Sequence, residues 1–242
     1  DSVLIAGYGR EGQSVFRFLA HTAPDISVTV ADRNSQSVEA LGADVKTKTG
    51  DHYLSGLENF ATVVRSQGIP KTIPEFSQTR HITTATNIFF AECPGTVIGI
   101  TGTKGKSTTS SLIHHILDSS QKDARLVGNI GRPALDDLDG ATKDTIFVYE
   151  LSCHQLDDIR YSPHIAVILP ISPEHLIYYG TFEAYVAAKS HIVDKQTESD
   201  SVIFFDKNEH SSHIGRKSHG QSYPYPQKKS ASTRAWFEND SI

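Results

Sequence analysis

The chain has 242 residues, of which 38% are hydrophobic and 21% charged, a length and composition that suit two folded domains with buried cores. A formal net charge of -5 gives no reason to expect a nucleic-acid partner, although a few amides and one lysine would suffice to hold a phosphate group. Two cysteines are too few for a disulfide framework, and no apolar run approaches the ~20 residues that cross a bilayer. We therefore expect a cytoplasmic protein without membrane insertion. A monomer is also expected.

The first 92 residues predict a small Rossmann-like α/β unit with a parallel sheet. The buried-strand candidates are residues 3–6, 26–31 and 61–64 and a short run around Ile82. Apolar residues recur at helical spacing after the first strand, and a second helical stretch ends near Glu92. Pro94 and Gly95 then mark a boundary between domains.

A glycine turn lies between the first strand and the first helix. Gly7, Gly9 and Gly12 occur there, and Asp32 follows 20 residues after Gly12 at the end of the next strand. This spacing is the dinucleotide-binding pattern, in which backbone amides approach a phosphate and the carboxylate binds a ribose. Taken alone, it favours NAD, but the turn could also hold another nucleotide such as a UDP-linked substrate, or could serve only to pack helix on strand.

The remaining residues predict a second parallel sheet covered by helices on both faces, as in P-loop NTPases. Strand candidates are residues 97–101, 146–150, 165–169 and 202–205, and helix candidates are residues 107–118 and 182 to about 195. Residues 208–229 are rich in Ser, His, Pro and Lys and are expected to form a loop, with an edge strand or hairpin at residues 233–237.

A second glycine turn follows the strand at residues 97–101. Its candidate phosphate ligands are Gly102, Thr103, Lys104, Gly105, Lys106, Ser107 and Thr108, which also begin a helix. Glycines let successive amides face phosphate oxygens, Lys106 supplies a positive charge, and the Ser107 or Thr108 hydroxyl can reach magnesium. The usual loop has a glycine five positions before its Gly-Lys pair, where Ile100 stands here, so this loop is a shortened variant.

This short loop resembles those of the Mur ligases and of the related folylpolyglutamate synthetases. Further stretches are similar to Mur ligases of the MurD type and occur in the same order over essentially the whole chain. They are Gly128 to Gly131 with Pro133, Ala134 and Leu135; Glu150 to Ser152 with Gln155 and Leu156; Glu174 and His175; and Tyr185 with Ala187 to Lys189. We therefore expect an ATP-dependent amide-bond-forming ligase.

The resemblance assigns catalytic and metal-binding roles in the second domain. Glu150, at a strand end, would bind magnesium, as its position at the edge of a parallel sheet also suggests. His175 would be a ligand for a second magnesium ion, the alternative being a solvated loop histidine. Lys189, otherwise read as a surface lysine with an apolar stem, would be carbamylated and join the metal ligands Ser107, Glu150 and His175. Asn129 and His175 would face the reacting groups, with Lys106 and Lys189 completing the catalytic set.

The resemblance also assigns the first domain to a UDP-linked substrate. Its expected contacts are Gly7, Tyr8, Gly9, Arg10, Gly12, Asp32, Arg33, Ser66 and Gly68. The implied reaction uses ATP and two Mg²⁺ ions to activate UDP-N-acetylmuramoyl-alanine as an acyl phosphate, which the amine of glutamate then attacks. Residues 1–92 would bind the UDP substrate and residues 93–242 the ATP. A glutamate-binding C-terminal domain is expected to be missing, so that this fragment alone would be inactive.

The chain departs from the family pattern at several positions. Pro170 stands where the family commonly has Asn, Glu174 where it has Asp, and Ile177 and Tyr178 where it has Asp and a basic residue. The loop that usually reads Ser-Pro-Gly has Gln67 at its centre.

Three other functions compete with a ligase of this type. An NAD-dependent oxidoreductase would explain the first glycine turn, but it gives no account of Lys106 or Glu150. A folylpolyglutamate synthetase shares the short loop, yet that family normally lacks the N-terminal glycine-turn domain. A non-catalytic nucleotide-binding regulator gains some support from Ile177 and Tyr178.

Overall fold

The computed structural model describes residues 2–226, which divide into two compact units. The first contains residues 2–93 and Arg132–Gly140, and the second contains residues 94–131 and the described residues from Ala141 onward. The segment Arg132–Gly140 was expected in the second domain. It belongs to the first unit because Asp136 accepts hydrogen bonds from Ser14 at 2.9 Å and from Arg17 at 3.1 and 2.7 Å.

Five parallel strands form the sheet of the first unit. They are β1 (Ser2–Ala6), β2 (Ser27–Asp32), β3 (Lys46–Thr49), β4 (Thr62–Arg65) and β5 (Ile82–Thr83). Their order is β3-β2-β1-β4-β5, so the chain builds outward from β1 on one side and then crosses to β4 on the other. In such sheets ligands bind beyond the carboxyl ends of the strands where the order reverses. Gly7 and Ser66, which follow β1 and β4, lie at that point.

Two helices and short 3₁₀ turns cover this sheet. The helices are α1 (Arg10–Thr22), which buries Val15, and α2 (Ala85–Glu92), which buries Phe89. Thr84 begins α2, because its hydroxyl accepts the N–H of Asn87 at 3.2 Å. A core that includes Leu4, Leu57 and Val63 lies against the sheet, as the apolar runs predict.

The second unit is built on six parallel strands. They are β6 (Thr96–Thr101), β7 (Ala124–Gly128), β8 (Ile146–Glu150), β9 (Ile165–Ile168), β10 (Ser201–Phe205) and β11 (Gln221–Tyr225), in the order β11-β10-β9-β6-β8-β7. The strand β6 is central, with Ile100 in a core with Val148 of β8 and Val167 of β9. The phosphate-loop candidate thus leaves the middle of the sheet, between the carboxyl ends of β8 and β9.

Five helices accompany this sheet. They are α3 (Lys106–Ser119), α4 (Cys153–Leu156), α5 (Leu176–Tyr179), α6 (Phe182–Ser190) and α7 (Glu209–Lys217). A capping box begins α4: the Ser152 hydroxyl accepts the N–H of Gln155 at 3.2 Å, and the Gln155 side chain accepts the N–H of Ser152 at 2.9 Å. The expected fold class, two parallel-sheet α/β domains, is confirmed.

Three local predictions were wrong. The helix α6 ends at Ser190 rather than near Lys195, because the backbone tightens into i→i+3 bonds such as Ile192 N–H to Lys189 C=O at 3.3 Å. The segment expected to be loop contains α7 and β11, since Asn208 caps a polar helix that buries Ile214. The edge strands β3 and β7 were missed. Residues 233–237 lie outside the described residues.

Within residues 2–226, no helix is both long enough and apolar enough to cross a membrane.

Candidate functional site

The turn between β6 and α3 has the backbone geometry of an anion site. Gly102 has φ +152°, and a Cβ added there would lie 2.6 Å from the Cβ of Leu169. Gly105, the N-cap of α3, has φ +83°. Both positions therefore favour glycine, and they leave the amides at the start of a 14-residue helix available to an anion.

Two lysines meet at this turn. The Lys106 ammonium donates to the carbonyls of Gly102 at 3.1 Å and Thr103 at 2.9 Å. The Lys189 ammonium donates to the same Gly102 carbonyl at 2.9 Å and is only 1% exposed. Burial, reinforced by the charge of Lys106, lowers the pKa of Lys189 to about 8. The sequence placed both lysines in the site, and the structure brings them together.

Tyr185 connects Lys189 to the turn, one helical turn before it on α6. The Lys189 ammonium lies 4.8 Å from the centre of the Tyr185 ring, and the Tyr185 hydroxyl is 3.2 Å from Oγ1 of Thr103. Burial raises the pKa of Tyr185 to about 12, so the phenol stays protonated as a hydrogen-bond donor near neutral pH. Tyr185 lies in one of the stretches that resemble the family, but it was not predicted as a site residue.

Glu150 lies at the carboxyl end of β8, beside the strand that carries the turn. Its side chain is buried at 1% exposure, and Oε1 accepts a hydrogen bond from Nδ2 of Asn129 at 3.0 Å. Its second oxygen, Oε2, is buried without a hydrogen-bond partner among residues 2–226. A buried carboxylate oxygen in this state is costly, and a cation would satisfy it. Glu150 therefore fits the magnesium ligand that the sequence predicts.

His175 begins α5 in the left-handed conformation, with φ 55°. Its side chain is 48% exposed, and its Nε2 lies 3.7 Å from Oε2 of Glu174. Glu174 also accepts a hydrogen bond from Lys104 of the turn at 2.7 Å, which lowers the pKa of the Glu174 carboxyl. The longer glutamate thus reaches the phosphate-loop candidate. Ile177, which departs from the family pattern described above, is fully exposed.

The described residues contain no group of three or more His, Cys, Asp or Glu side chains that could hold a metal ion. Magnesium commonly takes only one or two carboxylates and completes its shell with water and substrate phosphates. One buried carboxylate, Glu150, is compatible with that donor set. The proposed participation of Ser107, His175 and Lys189 stays a prediction.

The first unit has a second glycine turn, between β1 and α1. A Cβ on Gly12 would lie 2.0 Å from the carbonyl oxygen of Gly7, which itself has φ +89°. A Cβ on Gly9 would meet no described atom within 4 Å, which leaves room for a ligand. Ser66, after β4, donates from Oγ to the Gly7 carbonyl at 2.9 Å. The structure therefore brings Ser66 of the later loop against the turn, while Gly68 has open space around it.

Asp32 stabilises this turn. Its Oδ2 accepts the backbone N–H of Tyr8 at 2.6 Å, and its Oδ1 accepts that of Asn34 at 2.8 Å. The neighbouring Arg33 pairs with exposed Asp51 at 2.9 Å. Arg10 is the first residue of α1 and is exposed.

The chain matches two protein-family models: the Mur ligase MurD-like N-terminal domain at residues 1–86 and the Mur ligase middle domain at residues 100–241. It is 38% identical over 226 residues to the UDP-N-acetylmuramoylalanine–D-glutamate ligase of Koribacter versatilis, covering 89% of this chain and 49% of that protein. It is 33% identical over 238 residues to the ligase of the same name from Streptococcus mutans, covering 94% and 52%. The chain thus spans about half the length of the curated relatives it matches.

Solved structures support the fold. A UDP-N-acetylmuramate:L-alanyl-γ-D-glutamyl-meso-diaminopimelate ligase from Neisseria meningitides is similar with a TM-score of 0.60 at 14% identity, over 92% of this chain and 77% of that one. A UDP-N-acetylmuramate-alanine ligase from Thermotoga maritima gives a TM-score of 0.52 at 18% identity, over 88% and 51%.

Proposed function

The chain belongs to the Mur ligase family, and from this premise we propose that it supplies the nucleotide-sugar and ATP sites of a ligase that joins D-glutamate to UDP-N-acetylmuramoyl-alanine. The D form follows from the names of the relatives. The reaction would take place in the cytoplasm, during peptidoglycan synthesis. The glutamate site would lie outside this chain.

The observation that carries the proposal is the convergence of Lys106 and Lys189 on the Gly102 carbonyl. Two ammonium groups on one oxygen repel each other, and this repulsion falls when Lys106 turns to an anionic phosphate or when Lys189 loses its positive charge. The hydrogen bonds of Lys106 to neutral carbonyls are weaker than the bonds it would make to a β,γ-phosphate, so the side chain can turn to the phosphate. The amides at the start of α3 would bind the same phosphate oxygens.

Glu150 would hold a magnesium ion through Oε2 while Asn129 fixes Oε1. Bound magnesium would neutralise charge on the phosphates during phosphoryl transfer. The carboxylate of the UDP substrate would receive the γ-phosphoryl group, forming an acyl phosphate and ADP. The amine of glutamate would then displace phosphate to form the amide.

Lys189 would act as a neutral amine that captures carbon dioxide. A pKa of about 8 leaves roughly a tenth of the amine uncharged at pH 7, against far less for an ordinary lysine. The carbamate would exchange a cation for an anion beside the phosphate loop, and we propose that it serves, with His175, a second magnesium ion.

The first glycine turn would hold the uridine diphosphate. Gly9 leaves open space for the diphosphate at the start of α1, whereas Gly7 and Gly12 allow the turn itself to pack closely. Asp32 would orient the uridine end. Because Asp32 already braces the Tyr8 amide, it would present a fixed carboxylate to the nucleoside.

The test uses the full-length gene product, with phosphate release as the measurement. Release should require ATP, magnesium, UDP-N-acetylmuramoyl-alanine and D-glutamate together, and omission of any one should abolish it. The 242-residue chain alone should bind UDP substrate and nucleotide without turnover. Binding of a reduced nicotinamide cofactor in place of the UDP substrate, measured by fluorescence titration, would contradict the proposal.

A further inference from the structure

The loop at residues 170–172, which follows β9, is tied to the phosphate loop through Thr103. The N–H of Thr103 donates to the carbonyl of Pro170 at 3.0 Å. Its hydroxyl accepts the N–H of Ser172 at 2.9 Å and lies 3.0 Å from the Ser172 carbonyl, to which it can donate. With the Tyr185 phenol as a further donor, every hydrogen-bonding capacity of this buried hydroxyl is used.

Asn208 holds the same loop from the other side. Its Oδ1 accepts the N–H of Ile171 at 3.2 Å, and its Nδ2 donates to the carbonyl of Ile171 at 3.0 Å. Ile171 is 2% exposed, so these bonds are made away from bulk water. The side-chain amide thus satisfies both the N–H and the C=O of Ile171, as the backbone of a neighbouring strand would.

The role of Asn208 as the N-cap of α7 does not explain why the side chain is an amide. The cap bond, from the N–H of Ser211 to Oδ1 at 3.1 Å, uses only the oxygen. Aspartate or serine would cap a helix about as well as asparagine. Aspartate has no donor near neutral pH, and a serine hydroxyl ends one atom short of the position of Nδ2, so the Nδ2 group serves the loop rather than the helix.

The fixed loop leads directly to His175. Only Pro173 and Glu174 separate it from Ser172, and Glu174 pairs with Lys104 of the phosphate loop at 2.7 Å. Residues 170–175 are therefore held to the phosphate loop at Thr103 and Lys104 and to the start of α7 at Asn208.

We propose, on the basis of the ligase function above, that Asn208 is a positioning residue whose side-chain amide fixes Ile171 and so keeps His175 in register with the phosphate loop. The side chain of Asn208 is bonded to Ile171 and Ser211, and no contact with a substrate is assigned to it. It acts through the backbone of residues 171–175, and its loss would misplace the histidine rather than remove it.

The test compares Asn208→Asp and Asn208→Ser with wild type in the whole protein. Both variants keep a helix-capping oxygen and lose the donor to Ile171. Asn59→Asp is the matched control, because it adds the same charge and removes a side-chain donation to a backbone carbonyl, that of Gly56 at 3.2 Å, in the first unit. The measurements are kcat, KM for UDP-N-acetylmuramoyl-alanine, the unfolding midpoint, and the affinity for Mg·ADP by titration.

Both Asn208 variants should lower kcat about 10- to 100-fold, as a small misplacement of a catalytic group does, while the KM for the UDP substrate stays near the wild-type value. The unfolding midpoint should fall by only a few degrees, as expected for the loss of one buried hydrogen bond. Asn59→Asp should leave kcat unchanged. A kcat of Asn208→Asp within about twofold of wild type would overturn the proposal. So would a lowered unfolding midpoint in both Asn208 variants with no change in kcat.

A failure of the ligase proposal gives a different result. If the wild-type protein releases no phosphate, the role of Asn208 is decided by Mg·ADP affinity, because the loop is bonded to Thr103. That affinity should then fall roughly 2- to 10-fold in both Asn208 variants and not in Asn59→Asp, as expected for one lost hydrogen bond. Equal affinities would overturn the inference independently of the reaction.

Discussion

Lys106 and Lys189 place their ammonium nitrogens on one oxygen, the carbonyl of Gly102, at 3.1 and 2.9 Å. The two nitrogens can therefore be no more than about 6 Å apart by this geometry, close enough for strong repulsion in a buried site. The free-energy cost of holding a charged ammonium here is larger for Lys189, because it is the more deeply buried of the two.

The first prediction concerns stability and pH. The pKa of Lys189 is about 8 in the folded chain against an ordinary 10.5, so below pH 8 both states are protonated and the fold bears the full cost of the buried charge. Between these values the unfolded chain binds more protons, and the stability of the wild type rises with pH. Lys189→Met should therefore raise the free energy of unfolding on the order of 3 kcal/mol at pH 7, with the gain vanishing toward pH 10.5.

Denaturant titrations of the 242-residue chain in carbon-dioxide-free buffer would measure this difference. A gain that stays constant from pH 7 to 10 would show that Lys189 is not a buried ammonium in the folded protein.

The second prediction concerns the phosphate loop. Gly102→Ala forces a Cβ to within 2.6 Å of Leu169 at φ +152°, so it should lower the free energy of unfolding by about 1–3 kcal/mol. Gly42→Ala is the control, because its Cβ would meet no described atom within 4 Å and its φ is not positive. Thermal unfolding of the two variants would separate them, and equal midpoints would contradict the close approach of Gly102 to Leu169.

The third prediction concerns the first glycine turn. Asp32→Asn replaces one oxygen that accepts a backbone N–H by an amide group, so the bond to Tyr8 or Asn34 is lost. The KM for the UDP substrate should rise about tenfold, while the KM for ATP stays the same. Asp51→Asn removes an exposed carboxylate that pairs with the adjacent Arg33 and should change the KM little. An equal rise in the KM for the UDP substrate in both variants would show that the loss of any negative charge is sufficient, and would contradict a specific role for Asp32.

The fourth prediction concerns Glu150. Glu150→Gln retains an oxygen for Asn129 and removes a buried charge whose Oε2 has no hydrogen-bond partner within residues 2–226. The fold should be at least as stable as wild type, whereas phosphate release should fall about 100-fold and require more magnesium. Magnesium titrations of the release rate would measure this. If Glu150→Gln required no more magnesium than the wild type, Glu150 would not be a ligand of the metal ion.

The sequence predicts the central elements of both sheets well, because buried parallel strands are continuous apolar runs. The strand Lys46–Thr49 was missed because this edge strand contains only Lys and Thr. The helix Glu209–Lys217 was missed because its composition is polar, although Asn208 was a readable capping signal.

The contacts that organise the site could not be predicted from local patterns. Thr103 and Tyr185 are 82 residues apart, and Asn208 and Ile171 are 37 apart. Such pairs meet only because parallel strands return each loop to the same edge of the sheet, and the strand order decides which loops become neighbours. The attachment of Asp136 to α1 gave no sequence signal for the same reason.

The most direct measurement is a titration of Mg·ATP into the 242-residue chain and into two single-lysine variants of the same loop. Lys106→Met should weaken binding by about 100-fold, because it removes the positive charge that we propose turns to the phosphates. Lys104→Met should weaken binding by less than about tenfold, because that lysine is 84% exposed and pairs with Glu174. Equal affinity of wild type and Lys106→Met would contradict the account that this loop binds the phosphates of ATP.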